Sequence, residues 1–298
     1  MSLRTLYDVP APAKLNLFLH IIGRRDDGYH LLQSVFVLID WSDSLHFEVR
    51  DDRRLSRHDL GATLPDDDLC LRAARALQSA SGSALGADIS IDKVVPWGAG
   101  LGGGSSDAAS TLLALNRLWD LNWPRASLTA LGLKLGADVP FFIGGRNAFV
   151  EGVGERLTPL PVPPHWLAVL KPNAGIATQA LFASPLLVRN TDAVILEGFL
   201  VNVSESVGQV LLGSGRNDMQ SAAEACCPEV AQAASLLQAR FGNCRMTGSG
   251  SAVFARAGAL VDNAIGPMAT MPSELPAGWV GRMCRSLETH PLAAWVRD

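Results

Sequence analysis

The chain has 298 residues and a mass of 31.6 kDa, room for one or two domains with a sizeable core, which excludes a disulfide-stapled mini-protein. Hydrophobic residues make up 48% and charged residues 18%, which excludes disorder. A net charge of −4 offers no basic field to a phosphate backbone, so no nucleic-acid partner is expected.

Apolar runs separated by turn residues open the chain: LNLFLHIIG, the turn RRDDGYH, then LLQSVFVLIDW and SLHFEVR. Their lengths and compositions predict strands. DDDLCLRAARALQSAS predicts an amphipathic helix that starts at the solvated acids Asp66 to Asp68. Residues 87–95 alternate as a strand and run into the glycine-rich PWGAGLGGG, and SSDAASTLLALNRLW follows with a helical apolar stripe. A short helix is predicted over 126–135, a loop over GADVPFFIGG and strand pieces over AFVEGVGERL. The proline-dense TPLPVPPHW, residues 158–166, resists helix and central strand, and a boundary there divides the chain into 1–157 and 158–298. Beyond it come the strand LAVLKP, a mixed stretch to about 215, an alanine-rich helix around 219–240 and a second glycine signal, RMTGSGSAVFA. Strands mixed with helices and no repeat period predict an α+β or α/β enzyme rather than a solenoid.

Five glycines in seven positions, Gly98, Gly100, Gly102, Gly103 and Gly104, let a backbone approach a ligand closely, and the following helix offers free N–H groups to an anion. Ser105, Ser106 and Asp107 stand where N-cap residues would, and a capping role is expected for Asp107. Gly98, Gly100 and Gly103 also satisfy the dinucleotide pattern G-x-G-x-x-G, but the acid about 20 residues on, Asp120, follows a helix instead of ending a strand. No Gly-Lys pair exists to make a Walker A loop. Only four lysines occur, and Lys14 sits inside an apolar strand-like run, where an ammonium is costly unless an anion pairs with it. Asp138, between Ala137 and Val139, is a carboxylate in similar surroundings. A buried Lys–Asp pair beside a phosphate cradle would make a phosphoryl-transfer site.

PWGAGLGGGSSDAA resembles the phosphate-binding signature of the GHMP small-molecule kinases, named for galactokinase, homoserine kinase, mevalonate kinase and phosphomevalonate kinase. Together with PAKLNLFLHIIGRRDDGYHLLQSV, GADVPFFIGGRNAFVEGVGERLTPL and MTGSGSAVFA it resembles the branch of that family that phosphorylates the 2-hydroxyl of 4-(cytidine 5'-diphospho)-2-C-methyl-D-erythritol, in the non-mevalonate route to isoprenoids. The blocks span residues 12 to 255; residues 183–216 and the tail after 258 match no block.

The resemblance implies an ATP-binding domain like the second domain of ribosomal protein S5 over 1–157 and a ferredoxin-like domain over 158–298, with the site between them. It implies ATP and Mg2+ as cofactors. Pro96, Gly98, Gly100, Leu101, Gly102, Gly103, Gly104, Ser105 and Ser106 would hold ATP, and no metal ligand is assigned. Asp138 would be the base and Lys14 its charged neighbour. Asn16, Tyr29, His30, Asp138 and Phe182 would bind the cytidylyl substrate, with Tyr29 and Phe182 on the two faces of the cytosine. Thr247, Gly248, Ser249 and Gly250 would form a second glycine loop; the family often has T-G-T-G here, and the change keeps the hydroxyl. The DGYH turn favours this branch over a homoserine or mevalonate kinase, while an NAD-linked oxidoreductase and a non-catalytic binding protein are the readings from other classes.

Cys70, Cys226, Cys227, Cys244 and Cys284 form no C-x-x-C pair and are expected as reduced core thiols; His58, His165 and His290 show no metal-ligand spacing. No apolar window of 18 residues occurs, so a cytoplasmic protein without a membrane partner is expected.

Overall fold

The apolar runs of the first fifty residues form one long antiparallel hairpin, β1 (Thr5–Arg24) and β2 (His30–Arg50). Its turn rests on Gly28 at φ +92° and on Asp27, whose carboxylate accepts from the Tyr29 amide. The two runs after the turn are one strand of 21 residues, so β2 is long enough to be the hub of the sheet. Besides β1 it pairs with β4 (Gly86–Asp92), β5 (Ala148–Glu151) and β10 (Val280–Leu287). β3 (Leu55–Asp59) runs parallel to β4, and β6 (Arg156–Pro159) pairs with β5. Through β10 the sheet continues into β7 (His165–Lys171), β9 (Val253–Ala259) and β8 (Arg245–Met246), giving the order β3-β4-β2-β10-β7-β9-β8 in a ten-stranded sheet. This computed structural model describes residues 3–210, 215–259 and 269–298.

The helices that bear on the site follow β4. α1 (Leu69–Ser81) starts at Asp68, whose carboxylate accepts from the Leu71 amide. α2 (Gly103–Leu118), α3 (Arg125–Leu133) and α4 (Val139–Gly144) pack with α1 over β1, β2 and β4 and bury a core that includes Leu112, Leu115, Phe141 and Phe142. A second core joins Leu15, Val37 and Leu101 to Val169 and Phe254, so residues from both sides of the proline run share one interior. α5 (Thr178–Ala183), α6 (Leu196–Val201) and α7 (Val203–Gln209) are short, and α8 (Gln220–Cys226) and α9 (Pro228–Phe241) cover the β7–β9 side with a third core.

Three local expectations are corrected. GADVPFFIGG holds α4 rather than a loop: Pro140 suits a first turn that needs no N–H there, and Gly145 at φ +70° closes the last turn. The alanine-rich helix is two helices, because Pro228 cannot donate into a continuing helix and instead starts α9. Cys226 is exposed and Cys244 half-buried, so only Cys70, Cys227 and Cys284 are core thiols.

Candidate active site

Period-two alternation along β1 turns Lys14 and Asn16 away from Leu15 and Leu17, and both faces of the strand are covered there, so the lysine is buried, at 3% exposure. Its Nζ lies 3.6 Å from Asp138 Oδ2, donates to Asn16 Oδ1 at 2.6 Å and sits 4.6 Å above the Phe36 ring. Asp138, the residue before α4, remains open at 31% side-chain exposure and caps nothing. Burial pushes the Lys14 ammonium below the ordinary lysine range, and Asp138 pulls it partly back.

The glycine loop lies on this pair. Gly98, Gly100 and Gly102 have φ of +64°, +74° and +70°, and α2 starts immediately after them. A Cβ on Gly102 would stand 3.1 Å from Lys14 Cγ and from Phe142 Cζ, so the loop rests directly on the lysine stem. The Leu101 carbonyl accepts from the Lys14 amide at 2.9 Å. Gly102 is the N-cap and has no side chain, which leaves the first-turn N–H groups without an intrahelical or side-chain cap partner, as an anion-binding helix start requires. Pro96 and Ser105 are half-buried beside it, and the buried Ser106 hydroxyl has no protein partner.

Asp107 is not the cap. It lies in the second turn of α2, where its Oδ2 accepts from Lys93 Nζ at 2.6 Å; the same ammonium donates to Asp43. Asp43 Oδ1 in turn accepts from the Val94 and Val95 amides at 2.7 Å each, fixing the entry to the loop. Burial pushes the Asp107 carboxyl up to about 8, although Lys93 draws it down. Burial also works against the charge on Lys93, but Asp107 and Asp43 outweigh it and hold that ammonium above the ordinary lysine range. Gly103 packs on this cluster: a Cβ there would meet Lys93 Nζ at 3.0 Å and Val95 Cγ1 at 3.1 Å. Sequence reasoning missed the triad; its signal was a lysine closing a strand before the loop and an acid one helical turn into α2.

The second glycine loop touches the first. Thr247 Oγ1 accepts from the Asn16 amide at 2.9 Å, and a Cβ on Gly100 would stand 2.1 Å from the Thr247 carbonyl oxygen. Gly248 would carry its Cβ 2.9 Å from the Gly100 carbonyl, and Asn217 Nδ2 donates to the Met246 and Gly248 carbonyls. Ser249 meets Thr178 at 2.8 Å on the surface, and Gly250 packs on Met246. At the hairpin turn, Phe182 stacks on His30 with ring centroids 4.6 Å apart and planes at 14°, while Tyr29 stands 63% exposed. One face of Phe182 thus carries His30, whose Nε2 is buried without a partner.

Residues 68–146 match the model of the GHMP kinases N terminal domain and residues 195–269 that of the GHMP kinases C terminal. The chain is 65% identical over 296 residues to the 4-diphosphocytidyl-2-C-methyl-D-erythritol kinase of Methylibium petroleiphilum, covering 99% of this chain and 100% of that protein. It is 53% identical over 294 residues to the protein of the same name from Albidiferax ferrireducens, covering 99% and 96%. A crystal structure of 4-(cytidine 5'-diphospho)-2C-methyl-D-erythritol kinase superposes with a TM-score of 0.72 at 36% identity, covering 85% of this chain and 90% of that one. Homoserine kinase from Cytophaga hutchinsonii superposes at 0.67 with 14% identity over 96% and 95%, a likeness of fold alone. Identity of that order across nearly the whole length is a relationship of family, and the chain belongs to the 4-diphosphocytidyl-2-C-methyl-D-erythritol kinases of the GHMP kinase superfamily.

Proposed function

We propose that this chain transfers the γ-phosphoryl group of ATP to the 2-hydroxyl of 4-(cytidine 5'-diphospho)-2-C-methyl-D-erythritol. The observation that carries the reading is the Lys14–Asp138 pair directly under the glycine loop and the free N–H groups of α2. Asp138, ion-paired yet open to solvent, accepts the hydroxyl proton; the hydroxyl oxygen bonds to phosphorus as the bond to the bridging oxygen of ADP breaks. Lys14 lies beside the reacting groups as a fixed charge that answers the negative charge on the transferring phosphoryl. Gly98 through Gly104, with Pro96 and Leu101 shaping the loop, receive the triphosphate, and Thr247 to Gly250 cover it from the other side.

The residues present fit a Mg2+ held mainly by phosphate oxygens and water: the Ser106 hydroxyl is buried with no protein partner, and the half-exposed Ser105 precedes it. Bound there, the ion would neutralise charge on the triphosphate. Asn16, Tyr29, His30 and Phe182 are proposed for the substrate, the exposed Tyr29 ring and the His30–Phe182 stack offering aromatic surface to a base. A cytoplasmic setting, where ATP serves as donor, goes with this reading.

Phosphorus NMR after incubation with ATP, Mg2+ and each acceptor in turn tests it. A new phosphomonoester is expected with the cytidylyl compound and not with free methylerythritol, homoserine or mevalonate. Phosphorylation of homoserine or mevalonate in preference to the cytidylyl compound, or no ATP consumption at all, would overturn it.

A further inference from the structure

The amide of Asn16 has a donor end and an acceptor end, and nothing in asparagine itself decides which faces Lys14. Turned one way it offers the buried ammonium an acceptor; turned the other it sets N–H donors against a cation. Here Oδ1 faces Lys14 Nζ at 2.6 Å and, more distantly, the Thr247 hydroxyl at 3.3 Å, while Nδ2 faces Ser34 Oγ at 3.0 Å. Ser34, fully buried on β2, has one proton to give, and that proton goes to the Phe18 carbonyl at 2.5 Å. Toward Asn16 the serine can therefore only accept, so the amide must present its nitrogen to Ser34 and its oxygen to Lys14. The pairing of β1 with β2 shifts between Asn16 and Leu19, which places the Phe18 carbonyl at an irregular point of the ladder within reach of the hydroxyl.

We propose that Ser34 is a positioning residue of the phosphoryl-transfer site: by donating to the Phe18 carbonyl it orients the Asn16 amide with its oxygen on Lys14, and so holds the ammonium beside Asp138. The proposal rests on the reading in which Lys14 and Asp138 serve the transfer. Ser34 touches neither of them and acts through Asn16 alone.

With ATP and the cytidylyl substrate, Ser34→Ala should lower kcat roughly 10- to 100-fold, the scale of one hydrogen bond to a charged group, while KM for ATP changes less than about threefold. Ser34→Thr, which keeps the hydroxyl, should recover most of the loss. In an Asn16→Ala background, Ser34→Ala should add less than about a twofold further loss, because the relay is already cut. A second readout needs no turnover: the chain has four lysines, so the Lys14 Cε signal can be followed by carbon NMR through a pH titration. Asp138 is the charged group that faces Lys14, and it stays in place in Ser34→Ala, so loss of the Asn16 acceptor should move the Lys14 midpoint to lower pH. Independent, multiplying losses in the double variant, or an unmoved Lys14 midpoint, would overturn the proposal. A wild-type enzyme that leaves the cytidylyl substrate untouched would instead overturn the functional reading, and the carbon titration would still decide the role of Ser34.

Discussion

Lys14 stands in a place that resists charge: it is buried, yet it has one carboxylate, one amide oxygen and one aromatic face around it. In the proposed function this ammonium, beside Asp138, acts on the charge of the transferring phosphoryl. Lys14→Met keeps much of the stem's volume and removes the cation, so kcat/KM should fall roughly 10²- to 10³-fold while the thermal midpoint stays nearly unchanged. Asp138→Asn should lower kcat by about 10²- to 10⁴-fold with ATP still bound in calorimetry, and more than a third of wild-type kcat remaining would exclude it as the base. Because burial lowers the pKa of Lys14, its protonated form is lost at lower pH than for a free lysine, and the alkaline limb of kcat should lie correspondingly early. The pairing of Lys14 with Asp138 was legible because each is a charge in an apolar run. Ser34, Asn16 and Thr247 are neutral residues whose part depends on which atom donates, and that direction exists only once β1, β2 and the second glycine loop have met.

The succession of strand, glycine loop and helix start was also legible, since positive φ at Gly98, Gly100 and Gly102 needs glycine and α2 follows with its apolar stripe. What the loop rests on was not legible, because Asp43 lies 50 residues upstream of Lys93 in sequence. Two tests follow at this scale. Gly98→Ala and Gly100→Ala both force an L residue to positive φ, at a cost of about 1–2 kcal/mol. Only at Gly100 would the new Cβ also strike the Thr247 carbonyl, whereas nothing lies within 4 Å at Gly98. Gly100→Ala should therefore melt well below Gly98→Ala and lose most of its activity; equal midpoints would mean that the two loops do not bear on each other. The Asp43–Lys93–Asp107 cluster gives a stability test whose sign runs against the usual one for an aspartate. Burial raises the folded pKa of Asp107 above the ordinary aspartate value, so just above that ordinary value the folded state holds a proton that the unfolded chain has released. That contribution is full below the ordinary aspartate value and is lost as pH rises through the raised folded one. Asp107→Asn removes it, so the advantage of wild type over the variant in urea midpoint should shrink from pH 5 to pH 8; a constant gap would show that Asp107 does not titrate there.

Across the whole molecule, β2 and β10 tie the two sides of the proline run into one sheet, and Asn147 reinforces the join by accepting from the Leu38 amide and donating to the Leu287 carbonyl. The tail after Leu287 does not stay with the second half. The His290 amide donates to the Gly145 carbonyl, a 3-10 turn (Ala293–Trp295) follows, and Leu292 and Val296 enter the core under α2, α3 and α4. Arg125 at the start of α3 clamps it, donating to the Ile143, Ala293 and Val296 carbonyls and pairing with Asp298. A single cut at 157/158 thus leaves α3 and α4 without part of their cover, a return of the chain that proline content alone cannot reveal. Deleting residues 291–298 touches no residue of the glycine loops or of the Lys14–Asp138 pair. Burial of a Leu or Val side chain stabilises by about 1.5–3 kcal/mol each, and the stranded Arg125 adds a further loss. At roughly 2–4 °C per kcal/mol for a chain of this order, the thermal midpoint should fall by about 10 °C or more, with amide exchange accelerating first in α3 and α4. A midpoint within about 2 °C of wild type would mean that the tail is an appendage, and that the first half holds its helices without it.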